Sequence, residues 1–294
     1  MPAAARVEVE VEGRRLSLSN LDKVMYPEVG FTKGQVIDYY TRIAPAVLPH
    51  LRDRPLTLKR YPNGVEGQYF YEKRCPSHAP DWVRREVVQK IEYCVCDDLP
   101  TLVWLANLAD LELHPSLSKV DEILRPTVMA FDLDPGPGAG LPECCEVAFI
   151  LREALSQLGL ESFPKTSGSK GIQIYVPLNV DDVDYDSGTK ALSHALARHL
   201  EAQHPKLIVS QQRKELRKDK VLIDWSQNDE HKTTVGVYSL RARDRPTVST
   251  PLAWDELEDP EALVFEAADV LERLEAHGDL FAAVAELQQE LPSL

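Results

Sequence analysis

Asp132 and Asp134 stand two residues apart in Phe131-Asp-Leu-Asp-Pro-Gly-Pro-Gly138, directly after the apolar run Val128-Met-Ala-Phe131. A short apolar run stopped by Pro-Gly reads as a buried strand, and side chains two apart on a strand share a face. The two carboxylates therefore project together while Leu133 turns into the core. Held that close they repel each other unless a cation lies between them, and oxygen ligands suit a hard divalent metal. Such a pair fits metal-assisted phosphoryl or nucleotidyl transfer, in which metal ions bridge phosphate oxygens and offset charge. An acidic turn capping a strand would have the same three residues, so the rest of the chain has to decide. Val221-Leu-Ile-Asp-Trp225 is a second buried strand ending in a carboxylate, and Asp224 completes the set that two-metal chemistry needs.

Cationic and polar groups gather around these acids in sequence. Ser162-Phe-Pro-Lys-Thr-Ser-Gly-Ser-Lys-Gly171 reads as a loop entering the alternating strand Ile172-Gln-Ile-Tyr-Val-Pro177, and offers amides, hydroxyls and a cation to a triphosphate. It lacks the spacing and following helix of a P-loop. Gln212-Arg-Lys-Glu-Leu-Arg217-Lys-Asp-Lys220 is a basic run leading into the Asp224 strand, and Tyr238-Ser-Leu-Arg241-Ala-Arg243 adds more cations. His114 ends a strand after a helix read over 98–110, as polar filler or a phosphate contact. Tyr69, Phe70 and Tyr71 cannot all face one core, and an exposed aromatic among Lys59, Arg60 and Lys73 is suited to stacking bases. Lys33 falls in the first turn of a helix capped by Thr32. The helix dipole disfavours a cation there, which makes sense if an anion docks on the free amides.

The elements that must position these groups follow from periodicity. Residues 7–18 alternate strictly around a Gly-Arg turn and read as a hairpin. Val36, Tyr39, Tyr40, Ile43 and Val47 mark one helix, and further helices are expected over 143–158, over 187–204 and from Trp254 onward. Cys75-Pro-Ser-His78 and Cys94-Val-Cys96 invite a zinc reading, but the spacing is not a standard one and the alternating strand favours packed thiols. Five cysteines in 294 residues point to reduced thiols in a cytoplasm, and Met1-Pro-Ala-Ala-Ala-Arg6 leads into charge rather than an apolar signal core. No apolar run approaches the roughly 18 residues of a membrane span.

The formal charge of −14 is unevenly placed. Residues 246–294 hold twelve Asp or Glu against Arg273 alone, whereas residues 205–245 hold ten Lys or Arg against six acids. Net charge therefore does not exclude a polyanionic partner.

Eight segments in this order resemble the polymerase domain of bacterial ligase D, of the archaeo-eukaryotic primase superfamily, over nearly the whole chain. They are Asn20-Leu-Asp-Lys23-Val-Met-Tyr-Pro27, Lys59-Arg-Tyr-Pro-Asn-Gly64, Phe70-Tyr-Glu-Lys73, Glu112-Leu-His-Pro115, Phe131-Asp-Leu-Asp-Pro-Gly136, Thr166-Ser-Gly-Ser-Lys-Gly171, Asp224-Trp-Ser-Gln-Asn228 and Tyr238-Ser-Leu-Arg241. The resemblance implies an α/β (α+β) single lobe. Residues 125–245 would form a primase-like antiparallel sheet flanked by helices, residues 1–124 a platform for DNA ends packed on it, and 246–294 an acidic helical flank. It implies template-directed nucleotidyl transfer from NTP or dNTP in end-joining repair, with two Mn²⁺ (or Mg²⁺) ions on Asp132, Asp134 and Asp224. Ser167, Lys170, Arg217 and Arg241 would contact the nucleotide, with His114, Lys59 and Gln173 beside it. Asn20, Lys23 and Lys33 would grip the 5′-phosphate of a gap or break. Phe70 and Tyr71 would stack on template bases near Lys73, Tyr71 replacing the family's usual Phe. A Ku-type end-binding protein and a DNA ligase are implied partners, and a cytoplasmic, nucleoid-associated monomer is expected.

One position departs from the pattern. The family reads Ser-Gly-x-x-Gly-x-His where this chain has Gln173, which can donate a hydrogen bond but carries no charge and transfers no proton. A non-catalytic module that binds and pairs DNA ends is the rival reading. A sugar-nucleotide transferase using Asp-x-Asp is more distant, since it needs no third carboxylate such as Asp224.

Overall fold

The run Val128–Pro135 is a strand in the middle of a five-stranded sheet, and the rest of the chain is wrapped around its two faces. The computed structural model describes residues 6–292, so the start of the Met1-to-Arg6 stretch lies outside it. The chain opens with the hairpin β1 (Arg6–Val11) and β2 (Arg14–Ser19), turned at Glu12-Gly13, both with positive φ, one residue before the expected Gly-Arg. A small pair, β3 (Val24–Tyr26) and β4 (Phe31–Thr32), leads into α1 (Lys33–Leu51). Thr32 caps α1 in a reciprocal box with Gln35, and the expected apolar positions are all buried.

A second sheet follows. Its strands are β5 (Leu56–Arg60), β6 (Phe70–Glu72), β7 (Arg85–Val88) and β8 (Ile91–Cys94); α2 (Leu99–Asn107), capped by Asp98, leads to β9 (Asp110–Pro115). β9 lies along one side of β5, with β6 and β8 on the other. The Cys75 amide donates to the Glu92 carbonyl at 2.7 Å, which brings the loop after β6 onto β8 and lets Cys75 and Cys94 form a disulfide. The expectation of reduced thiols therefore holds only for Cys96, Cys144 and Cys145, all buried, and the zinc reading loses two of its ligands.

The central sheet comprises β10 (Val128–Pro135), β11 (Phe163–Thr166), β12 (Ile172–Pro177), β13 (Ile208–Val209) and β14 (Val221–Asp224), in the order β11-β12-β10-β14-β13. It is antiparallel except for the parallel pair β13/β14, a departure from the all-antiparallel expectation. Residues 163–166, read from sequence as a loop approach, form β11, because Pro164 sits where the neighbouring segment 250–252 rather than its own N–H supplies pairing. Helices α3 (Leu141–Gln157) and α4 (Lys190–Gln203) cover one face, α4 after a π-helical turn at Tyr185–Thr189. The C-terminal part runs through short 3-10 turns before α5 (Ala267–His277) and α6 (Ala282–Glu286), so regular helix begins later than the acidic composition suggested. None of the described helices is long and apolar enough to cross a membrane.

Alternation along β10 divides the core. Met129, Phe131 and Leu133 pack with α3 and α4, while Val128 and Ala130 join a second cluster built from α1, α2 and the second sheet. Each fully buried side chain of this kind contributes roughly 1.5–3 kcal/mol. The acidic C-terminal segment buries Val270, Leu271, Phe281 and Val284 in that second cluster, so this flank is packed against the body.

Asp279, between α5 and α6, fastens the flank. It accepts from the Tyr238 hydroxyl at 2.6 Å and pairs with His50 Nε2 at 3.1 Å. Burial pushes the Asp279 carboxyl up, but the hydrogen bonds from His50 and Tyr238 outweigh it and hold the carboxyl below its usual value. A depressed carboxyl stabilises the fold above the unfolded value of about 3.9 and loses that contribution as pH falls through the folded one. Asp279→Asn is expected to lower stability at neutral pH by about 1–2 kcal/mol, with the deficit closing in acid. Denaturant titrations at pH 7 and pH 3 check this, and an equal deficit at both would be the wrong result.

Candidate active site

Strand pairing brings the carboxylates together. Asp132 lies directly opposite Asp224 on one side and Gln173 on the other, and Asp134 follows two residues along β10. Burial first, then the charge of Asp134, pushes the Asp132 carboxyl up to about 7. Asp134 is raised in the same way by burial and by Asp224, with Arg217 and Arg241 pulling it back. Asp132 Oδ1 is buried without a hydrogen-bond partner. A buried, unpartnered carboxylate oxygen beside two further carboxylates is a donor set that fits a hard divalent cation.

The arrangement is more open than a closed ion cage. Asp224 Oδ1 accepts from the Ser226 amide at 2.9 Å and its hydroxyl at 2.6 Å, and Oδ2 from Gln227 at 2.8 Å. Among the described residues, the grouping whose ligand atoms lie within 4.8 Å of one another is instead Asp229, Glu230 and His231. In that group Asp229 is already paired with Lys190 at 2.9 Å.

The Pro-Gly-Pro-Gly segment does more than stop β10. The Gly136 amide donates to the Lys220 carbonyl and the Asp219 amide to the Pro137 carbonyl, both at 2.8 Å. A Cβ on Gly136 would fall 1.8 Å from the Arg217 carbonyl oxygen, so only glycine admits this approach. The basic run is thereby laid against the aspartates, with the Arg217 side chain held at Gln212 and its Nε unpartnered.

Beside the acids opens a cleft of about 300 Å³ lined by Asp132, Asp134, Ser167, Lys170, Gln173, His114 and Arg241, among others. Ser167 is buried, and its Oγ accepts the amides of Ser169 at 3.3 Å and Gly171 at 3.1 Å. Those amides are therefore spent within the loop, and the expected cradle is made more of side chains, with Lys170 exposed and Arg243 donating to Ser169. Arg241 donates to the Ser167 carbonyl.

Glu112 organises the cations on the far wall. Only 1% exposed, it accepts from Lys59 at 3.1 Å, His114 Nε2 at 3.0 Å and the Ala242 amide at 3.1 Å, with Arg241 Nε 3.4 Å away. Burial alone would raise the Glu112 carboxyl, but His114, Arg241 and Lys59 together hold it well below its usual value. Burial also lowers His114, against the pull of Glu112.

The DNA-contact candidates divide between two surfaces. Tyr71 meets His114 edge-on at 5.8 Å, and Lys59 sits 4.8 Å from the Tyr69 ring centroid. Phe70 points the other way, 5.1 Å from the Arg60 guanidinium. All three aromatics are exposed, but Phe70 and Tyr71 are not a single stacking face. Lys73 reaches across to the His231 carbonyl at 3.3 Å. Asn20 is exposed with positive φ, and Lys23 holds the Pro62-Asn63 turn.

Lys33 corrects the expectation of a free helix end. The Lys33 and Gly34 amides donate to the carbonyls of Lys23 and Leu21, both at 2.8 Å, and the Gln35 amide to Thr32 Oγ1 at 3.3 Å. The Lys33 side chain is buried on the Ser19 carbonyl at 2.6 Å. Burial, with Lys23 and Arg60 nearby, lowers its amine to about 8. Like charges gathered this way still favour an anion, but one met by side chains.

Glu112 and Lys165 escaped the sequence reading as site groups. For Glu112 the signal was present, since Asp110, Glu112 and His114 alternate along β9 and share a face. Lys165 was hidden inside a stretch taken for a loop.

Acids at a strand end facing a cationic cleft suit nucleotidyl transfer, and comparison with known proteins agrees on a DNA-directed nucleotidyltransferase of the primase-polymerase type. The chain belongs to the LigD primase-polymerase domain family, whose model matches residues 32–281. It is 43% identical over 274 residues to the multifunctional non-homologous end joining protein LigD of Mycolicibacterium smegmatis, covering 91% of this chain and 36% of that protein. It is 31% identical over 265 residues to the bifunctional non-homologous end joining protein LigD of Bacillus subtilis, covering 90% and 43%. The chain thus spans well under half the length of these relatives. Among solved structures it resembles the polymerase domain from Mycobacterium tuberculosis ligase D in complex with DNA, with TM-score 0.87 and 38% identity, covering 94% of this chain and 99% of that one.

Two expectations follow. The raised Asp132 carboxyl stabilises the metal-free protein below about pH 4 and loses that contribution as pH rises toward 7. Asp132→Asn should therefore raise the melting temperature at pH 8 in chelator, and should gain less than wild type when Mn²⁺ is added. A melting scan reads both, and a destabilised variant with full Mn²⁺ response would contradict the assignment. Glu112→Gln leaves Lys59 and Arg241 without their counter-charge and is expected to cost about 3 kcal/mol, measured by denaturant unfolding. A loss below about 0.5 kcal/mol would mean the cluster is held by other contacts.

Proposed function

We propose that the chain performs template-directed nucleotidyl transfer, adding NTP or dNTP to a primer 3′-hydroxyl at DNA ends and short gaps. The observation that carries the reading is the cleft in which Asp132 and Asp134 face Arg241, Lys170 and His114. Asp132, Asp134 and Asp224 are the groups that would hold two divalent ions, Mn²⁺ or Mg²⁺. Bound there, such ions would activate the hydroxyl and offset charge on the departing pyrophosphate. Lys170, Arg217 and Arg241 supply positive charge to the triphosphate, and Ser167 fixes the loop that carries Lys170. His114 and Lys59, held by their common partner Glu112, border the nucleotide. Tyr71 on the cleft side and Phe70 on the Arg60 side would contact the two flanks of an opened DNA end, with Lys73 nearby. Asn20, Lys23 and Lys33 would meet the downstream 5′-phosphate.

The setting of the reaction is non-homologous end joining, by analogy with the named relatives, with a Ku-type protein and a DNA ligase as partners in the cytoplasm. Primer extension on a gapped, 5′-phosphorylated DNA with Mn²⁺ and either NTP or dNTP tests the reading. Wild type should extend the primer, and Asp134→Ala should lose at least about a thousandfold in rate. DNA binding without extension by wild type would replace this function with the end-binding module.

A further inference from the structure

Four residues stand in one row across the central sheet. Lys165 on β11 is paired with Gln173 on β12, Gln173 with Asp132 on β10, and Asp132 with Asp224 on β14. Residues opposite one another in a sheet share a face, so the row runs from a buried cation through an amide to the carboxylates. Lys165 is fully buried, which is rare for lysine and calls for dedicated partners. It has three: Gln173 Oε1, the Val235 carbonyl at 3.1 Å and Ser249 Oγ at 2.6 Å. Ser249 spends its own proton on the Thr166 carbonyl at 2.8 Å, so it accepts from Lys165. Burial lowers the Lys165 amine well below its usual value, and the nearby charge of Asp132 opposes that. Three acceptors are the set that suits its protonated form, which gives three protons and accepts none.

That donor-only partner decides how the Gln173 amide is turned. Its oxygen faces Lys165, and its NH₂ edge faces the opposite way, donating to Thr234 Oγ1 at 3.2 Å and helping to hold down the Asp132 carboxyl, where Gln173 lines the cleft. We propose that Lys165 is a positioning residue that acts through Gln173, fixing the amide so that its N–H edge is presented to the phosphate oxygens of the nucleotide beside Asp132. The pair supplies a polarised donor from a side chain that has no charge of its own. This rests on the reading of the cleft as a nucleotide site.

The test measures single-nucleotide incorporation on the gapped, 5′-phosphorylated DNA with Mn²⁺ for wild type, Lys165→Met, Gln173→Ala, Gln173→Glu and the double variant Lys165→Met/Gln173→Ala. Each single change should raise the nucleotide KM about tenfold with a smaller effect on kcat, and the double variant should be no worse than Gln173→Ala. Gln173→Glu keeps an acceptor for Lys165 but has no N–H, so it should show the same KM loss without loss of melting temperature. A KM for Lys165→Met within about twofold of wild type, a double variant near a hundredfold, or an unimpaired Gln173→Glu would each overturn the proposal. Orientation is read independently in metal-free ¹⁵N-labelled protein, with the Gln173 side-chain signals assigned by their loss in Gln173→Ala. Nuclear Overhauser contacts from the amide protons should be stronger to Thr234 than to the Lys165 methylenes, and the reverse would overturn the proposal. If wild type shows this pattern but extends no primer, the functional reading fails while the positioning of Gln173 by Lys165 stands.

Discussion

Like charge brought together out of water is the constraint on which this structure turns. Asp132, Asp134 and Asp224 meet because the end of β14 lies opposite Asp132 on its antiparallel neighbour β10, with Asp134 two residues further along. Burial first, and then the Coulomb repulsion between them that grows as water is excluded, raises the Asp132 and Asp134 carboxyls. The surrounding cations are placed where they relieve that repulsion without neutralising it by direct contact. Arg217 and Arg241 act on Asp134 through space, each with a guanidinium Nε that has no hydrogen-bond partner. A site built this way is unfavourable when empty and is completed by whatever brings the opposite charge.

The opposite wall solves the reverse problem. Lys59 and Arg241 would repel one another, and Glu112, which also takes the His114 hydrogen bond, holds them as a buried anion. Tyr69 and Tyr71, over Lys59, shield that cation on its outer side and extend the wall toward solvent.

Much of this was legible from residue order. The apolar run into Asp132 and Asp134, the second run into Asp224, the Thr32 cap and the α1 stripe obey local rules of period and capping, and these survive in the fold. What was not legible depended on long-range partners. The amides at the start of α1 look free in sequence and are taken by residues 21–23, which only folding brings near. β11 lacked a strand signature because Pro164 and Lys165 are tolerated there through segment 248–252 and Ser249. The Cys75–Cys94 bond likewise depends on the loop after β6 settling on β8. Lys165 illustrates the general point: a buried lysine is the residue that periodicity most readily assigns to the surface.

The two-sided packing of β10 bears on modularity. A strand whose alternate side chains are shared by two apolar clusters belongs to neither half alone. Cutting near residue 125 would strip one cluster of Val128 and Ala130 and leave the other with an exposed sheet face, so neither piece would inherit a closed interior. The strand that carries Asp132 and Asp134 is thus a wall common to both interiors, and a cut beside it would open the two at once.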